Sequence, residues 1–210
     1  MWTSFVTSMF HEIIAVIVKG GLVMIPLLAS SLIAMTVIVE RFFFWRSLQA
    51  HEMDTQILTL AAEGDFKQAV EAASTSLHPV ARVLHAGLLA RDMASPGIAM
   101  QAAAQAELRH LRRYLPVLDT IITLAPLLGL LGTITGMISA FGIVSEAGLG
   151  QPHAITGGIA EALIATATGL LVAIVTLVPY NYFRARMEEM TDRMEERATR
   201  LELLLGKRED

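Results

Sequence analysis

TIITLAPLLGLLGTITGMISAFGIVS, residues 120–145, is a run of twenty-six residues without a charged side chain. A helix needs about 20 mostly apolar residues to cross about 30 Å of hydrocarbon, so this stretch is long enough to span a bilayer. Two further runs qualify. GGLVMIPLLASSLIAMTVIV covers residues 20–39, and ALIATATGLLVAIVTLVPYNYF covers residues 162–183. Pro26, Pro126 and Pro179 fall inside or near the ends of these runs, where spanning helices tolerate them. The 210 residues are 54% hydrophobic and only 17% charged, against about 25% charged in an ordinary soluble domain. These numbers exclude a soluble globular chain and predict an all-α membrane protein with three transmembrane helices.

Charge is segregated in the same pattern. Residues 1–40 hold three charges, 41–119 sixteen, 120–183 two, and 184–210 fifteen. Three spans leave the first residues and the loop after residue 145 on one side, with a single cation, Lys19. The other side carries all the remaining Lys and Arg, clustered at the span ends as Arg41, Arg46, Arg109, Arg112, Arg113, Arg184 and Arg186. The positive-inside rule therefore predicts an N-out/C-in chain. Trp45, Tyr114, Tyr180 and Tyr182 fall at the cytoplasmic span ends, as interfacial aromatics do.

The expected organisation follows. Residues 1–19 lack the cationic start of a signal peptide. They repeat Trp2, Phe5, Val6, Met9, Ile13 and Ile17 at helical spacing, which suits an amphipathic helix on the outer interface that turns inward at Gly20-Gly21. The first span is 20–45, the second 116–145 and the third 157–183, with 146–156 a short periplasmic loop. Residues 46–115 read as a cytoplasmic helical domain broken at Glu63-Gly64-Asp65, Ser74–Pro79 and Ser95-Pro96-Gly97. Residues 184–210 form a cytoplasmic C-terminal helix. Its stripe of Met187, Met190, Met194, Leu201 and Leu204 is covered either by neighbouring subunits or by the chain's own 46–115 segment.

Several function classes drop out. Without cysteine there is no disulfide framework and no thiolate metal or redox site. A net charge of −4 argues against nucleic acid. His11, His51, His78, His85, His110 and His153 are scattered without ligand spacing. The segment GLLGTITG, 129–136, lies mid-span and is not followed by the Lys-Ser or Lys-Thr of a phosphate loop. No acid, base and nucleophile cluster, so no enzyme, cofactor or metal is expected.

The informative residues lie in the spans. Ala125, Gly129, Gly132, Gly136 and Ala140 step by four, three, four and four, which makes one small-residue face for close helix packing. Glu161 opens the charge-free third run, and an ionisable group there, costing about 2.5–3.5 kcal/mol in hydrocarbon, is a functional candidate by default. The bland alternative is a carboxylate at a helix N-terminus, wetted from outside. Thr133 and Thr166 each lie fourteen residues from their inner boundary, about 21 Å, so a carboxyl and two hydroxyls at matched depths form a candidate polar path. Thr166 is about 140° around the helix from Glu161, whereas Thr168 shares its face. Asp119 is either a helix-start or salt-bridge residue near Arg112 and Arg113, or a cytoplasmic proton exit.

Two motifs carry a resemblance. LDTIITLAPLLGLLGTITGMI, 118–138, looks like the second-span signature of the ExbB/TolQ/MotA proton-channel family. GGIAEALIATATGL, 157–170, with YNYF at 180–183, looks like its third span. The three-span topology with a large loop after the first span is similar to the ExbB branch, with TolQ next. The resemblance implies the larger subunit of a motor in the bacterial inner membrane, driven by the proton gradient. It implies a homo-oligomeric ring, a pentamer around a dimer of a single-span ExbD/TolR-type partner. In the ExbB branch that motor energises a TonB-type protein and outer-membrane transport; in the TolQ branch it serves the Tol-Pal system. The family's essential third-span glutamate falls on Glu161, and its pore threonines fall on Thr133 and Thr166. A rival from another class is a passive oligomeric membrane scaffold.

Overall fold

The computed structural model describes residues 20–48, 53–93, 95–147 and 152–206. The amphipathic helix expected over 1–19 lies outside them. The described residues form seven helices: α1 (Met24–Ser47), α2 (Met53–Glu63), α3 (Phe66–Ser74), α4 (Pro79–Leu89), α5 (Pro96–Leu111), α6 (Leu115–Ala147) and α7 (Pro152–Gly206). Three of them, α1, α6 and α7, are long and apolar enough to cross a membrane. The protein is therefore all-helical with three candidate spans. The third span and the C-terminal helix are one continuous α7, as the Glu189–Arg193 and Glu196–Arg200 spacing favours.

The chain divides into two units, residues 1–39 with 116–180, and residues 40–115 with 181–210. In the first unit, only 22–28% of the most apolar window of each long helix is buried. Leu22, Leu32, Leu127, Ile138, Leu163 and Val178 all point outward. An apolar exterior of this kind suits hydrocarbon or neighbouring helices, not water. Several hydroxyls of these helices turn back on their own backbone. Ser30 donates to Pro26 O (2.8 Å), Thr168 to Ile164 O (2.8 Å) and Thr176 to Val172 O (2.7 Å), satisfying each donor where no water reaches.

The second unit has an ordinary water-excluding core. Ile57, Leu84, Leu88, Met100 and Leu111 are buried with Met194 and Leu201 of α7. Met190, Met194 and Leu201 of the α7 stripe are thus covered within the chain, while Met187 and Leu204 stay half-buried. A Cβ on Gly87 of α4 would lie 3.2 Å from Leu201. The helix ends follow local chemistry. Gly64, at φ 84°, closes α2 while Asp65 N donates to Leu60 O. The Asp65 side chain then accepts from Gln68 N (3.1 Å), capping α3. Pro79 and Pro96 open α4 and α5, at the position where a missing N–H costs nothing.

Two buried charges hold this unit. Asp54 is buried and meets Arg193 (3.0 Å) and Arg197 (3.4 Å) of α7. Arg41, 2% exposed, pairs with Glu40 (2.7 Å) and donates to His110 O (3.3 Å). Its guanidinium lies 4.3 Å from the Phe44 ring centroid and 5.5 Å from that of Tyr114. Tyr114 takes φ 67°, a left-handed conformation that costs a side-chain-bearing residue roughly 1–2 kcal/mol. It links α5 to α6.

Candidate functional site

The small residues of α6 form a seam with α7. A Cβ on Gly129 would sit 3.0 Å from Ala165 O and from Thr166 Cα. One on Gly136 would sit 3.0 Å from Gly158 O and 3.1 Å from the Ala162 Cβ. On Gly132 it would collide with the Ala165 Cβ, and on Gly158 it would lie 2.7 Å from the Ala140 Cβ. A Cβ on Gly169 would meet Ala125 O at 2.5 Å. Residue numbers fall along α6 as they rise along α7, so the two helices run antiparallel. Only glycine and alanine permit this backbone approach. The five-residue face noted in the sequence therefore packs within one chain.

Across that seam the Thr166 hydroxyl donates to Gly129 O at 2.9 Å. A glycine there bares its carbonyl to the neighbouring helix.

Glu161 faces a different neighbour. α7 begins at Pro152, so Glu161 stands in its third turn, beyond the first turn in which a helix dipole holds a carboxylate. Glu161 is half-buried, and a Cβ on Gly21 would run into its carboxylate. Gly21 adopts φ 73°, and Met24 N donates to Gly21 O (3.1 Å), turning the chain into α1. Glycine thus serves twice here, through its φ and through the room it leaves for a carboxylate. The sequence marked the Gly20-Gly21 turn but gave no sign that it sits against Glu161.

Thr133 stands apart from both. Its hydroxyl donates to Leu130 O (2.6 Å), and the residue borders an open groove with Ile134, Met137, Ile138 and Phe141. Among the described residues, no hydrogen bond joins it to Thr166 or Glu161. Glu161 and Thr166 point at different elements, Gly21 and Gly129, as their angular offset requires. Asp119 is exposed in the second turn of α6, and among the described residues it has no ion pair.

Residues 75–196 match the MotA/TolQ/ExbB proton channel family. ExbB-like biopolymer transport protein 3 of Synechocystis is 36% identical over 88% of this chain and 91% of its own length. ExbB-like protein 1 of the same organism is 39% identical over 89% of this chain and 76% of its own length. The Tol-Pal system protein TolQ of Pseudomonas aeruginosa is 39% identical over 45% of this chain and 41% of its own length. The family match runs through the whole α6–α7 seam and includes Glu161, and the chain belongs to the MotA/TolQ/ExbB proton channel family.

Proposed function

We propose that the protein is the larger, ExbB-type subunit of a proton-driven motor in the bacterial inner membrane, with its N-terminus periplasmic and its C-terminus cytoplasmic. It forms a homopentameric ring around a dimer of a single-span ExbD/TolR-type partner, and the complex energises a TonB-type protein for outer-membrane transport. Protons pass through Glu161 and the hydroxyls of Thr133 and Thr166, with Thr168 on the Glu161 face of its helix and Asp119 at the cytoplasmic exit. The supporting observation is Glu161 itself, an ionisable side chain in the third turn of an apolar helix, half-buried against Gly21.

The chemistry is simple. A carboxyl that binds and releases a proton alternates between a neutral and a charged form. Each charge moved through the membrane field is worth about 2.3 kcal/mol per 100 mV. Exchange between neutral and charged Glu161 thus supplies a driving step for moving the partner's helix within the ring.

The ExbB reading is supported by the two ExbB-like relatives that align along nearly the whole chain; TolQ and the ExbB of Aquifex aeolicus each align along less than half of it. In cells that depend on this chain, Glu161→Gln should abolish energised outer-membrane uptake while the complex still copurifies. Normal uptake refutes the role.

A further inference from the structure

The second unit holds a cavity that the proton pathway does not use. Its volume is about 450 Å³, and it lies between the end of α1 and the middle of α7. Trp45, Arg46, Tyr182, Arg186, Glu189 and Arg193 supply the functional groups of its wall. Trp45, Arg46, Tyr182 and Arg186 lie where the apolar runs of the first and third spans give way to charge, and Glu189 and Arg193 follow further along α7.

The charges in this wall do not cancel. Arg186 is shared between Glu189 (2.9 Å) and the Tyr182 hydroxyl (3.4 Å). Arg193 answers Asp54 behind the wall (3.0 Å). Arg46 is exposed and, among the described residues, has neither an ion pair nor a hydrogen bond. Among those residues too, the indole N–H of Trp45 is buried without an acceptor, an arrangement that calls for a partner. Aromatic rings beside arginines at a span end are the surroundings that lipid headgroups meet.

We infer that this cavity binds the phosphate of an anionic phospholipid headgroup in the leaflet at the arginine-rich ends of the spans. Arg46 and Arg186 face the phosphate with charge, and Arg supplies planar, forked donors suited to its oxygens. The Trp45 ring forms part of the wall beside the headgroup, so its emission reports occupancy. Glu189 holds Arg186 in place and disfavours more than one negative charge. The acyl chains lie along Phe42, which is half exposed at the cavity edge. The site does not depend on Glu161 and stands or falls separately from proton transfer.

The chain has two tryptophans, Trp2 and Trp45, so a Trp2→Phe background leaves the cavity as the only source of indole emission. Dioleoyl phosphatidylglycerol titrated into this full-length protein in a non-ionic micelle should change the Trp45 emission saturably. Dioleoyl phosphatidylcholine should not. Arg46→Gln, which removes an exposed side chain without a partner, should weaken the apparent phosphatidylglycerol affinity about fivefold, and adding Arg186→Gln should bring the loss to roughly thirtyfold. Arg82→Gln, an exposed arginine paired with Glu107 on other helices of the same unit, should change nothing. Far-UV circular dichroism checks the fold of each variant, and if the double variant unfolds, Arg46→Gln alone decides. Equal response to both lipids, or an Arg46→Gln affinity equal to that of the parent, overturns the site. So does inorganic phosphate producing the same emission change at the same concentration, since the ligand is then the free ion and not a lipid.

Discussion

The Thr166 hydroxyl donates a 2.9 Å hydrogen bond to the carbonyl of Gly129 on the antiparallel neighbouring helix. It is the polar rung of a seam otherwise built from glycine and alanine. Thr166→Val keeps the shape and removes the donor, and unfolding in micelles should show a loss of about 0.6–1.7 kcal/mol, the range for hydrogen bonds between spanning helices. Thr166→Ser should keep most of the stability. A Val variant as stable as the parent would show that the bond contributes nothing.

The seam tolerates no side chain at Gly129, where a Cβ would press on the backbone of Ala165 and Thr166. Gly129→Ala should therefore destabilise the α6–α7 pair by about 1–3 kcal/mol, the usual cost of overpacking. Gly142 has nothing within 4 Å of a would-be Cβ, and Gly142→Ala should stay within about 0.5 kcal/mol of the parent. Equal effects at the two positions would contradict the packing described.

Gly21 is the nearest test of how Glu161 is held. Gly21→Ala forces a Cβ into the left-handed region, at roughly 1–2 kcal/mol, and into the space of the carboxylate. Proton flux through the reconstituted complex should fall while helix content holds. Undiminished flux would show that the position of the carboxylate against Gly21 is immaterial.

In the second unit Asp54 neutralises two arginines of α7 from a buried position. Asp54→Asn leaves both cations without their carboxylate and should cost about 3 kcal/mol, as when one member of a buried pair is removed. Thermal unfolding measures this, and Arg193→Gln added to it should recover part of the loss. A small shift in melting temperature with Asp54→Asn alone would mean that solvent already screens the cluster.

Much of this architecture was legible in the sequence. Three charge-free runs announced three long helices, because hydrocarbon leaves the backbone little choice but to bond to itself. Gly64, Pro79 and Pro96 marked helix boundaries through backbone chemistry that is local. The face of Ala125, Gly129, Gly132, Gly136 and Ala140 was visible as a spacing. Its partner was not, because small residues permit close approach without naming the helix that approaches. The setting of Glu161 was hidden for a similar reason: its neighbour Gly21 belongs to the distant start of α1. The burial of Asp54 and Arg41 is not legible in the sequence either, since a charged residue is buried only when remote partners arrive to pair with it. Arg193 reaches Asp54 from 139 residues away.

If protons cross through Glu161, proton flux into proteoliposomes depends on its carboxyl. The chain is reconstituted with its single-span partner, a potential is imposed, and an internal pH dye follows proton entry for the parent and for Glu161→Gln. The parent should carry flux, and an equally assembled Glu161→Gln complex should show only the leak of protein-free vesicles. Parent-like flux through Glu161→Gln would contradict proton passage through Glu161, leaving the glycine seam as the basis of a passive membrane scaffold.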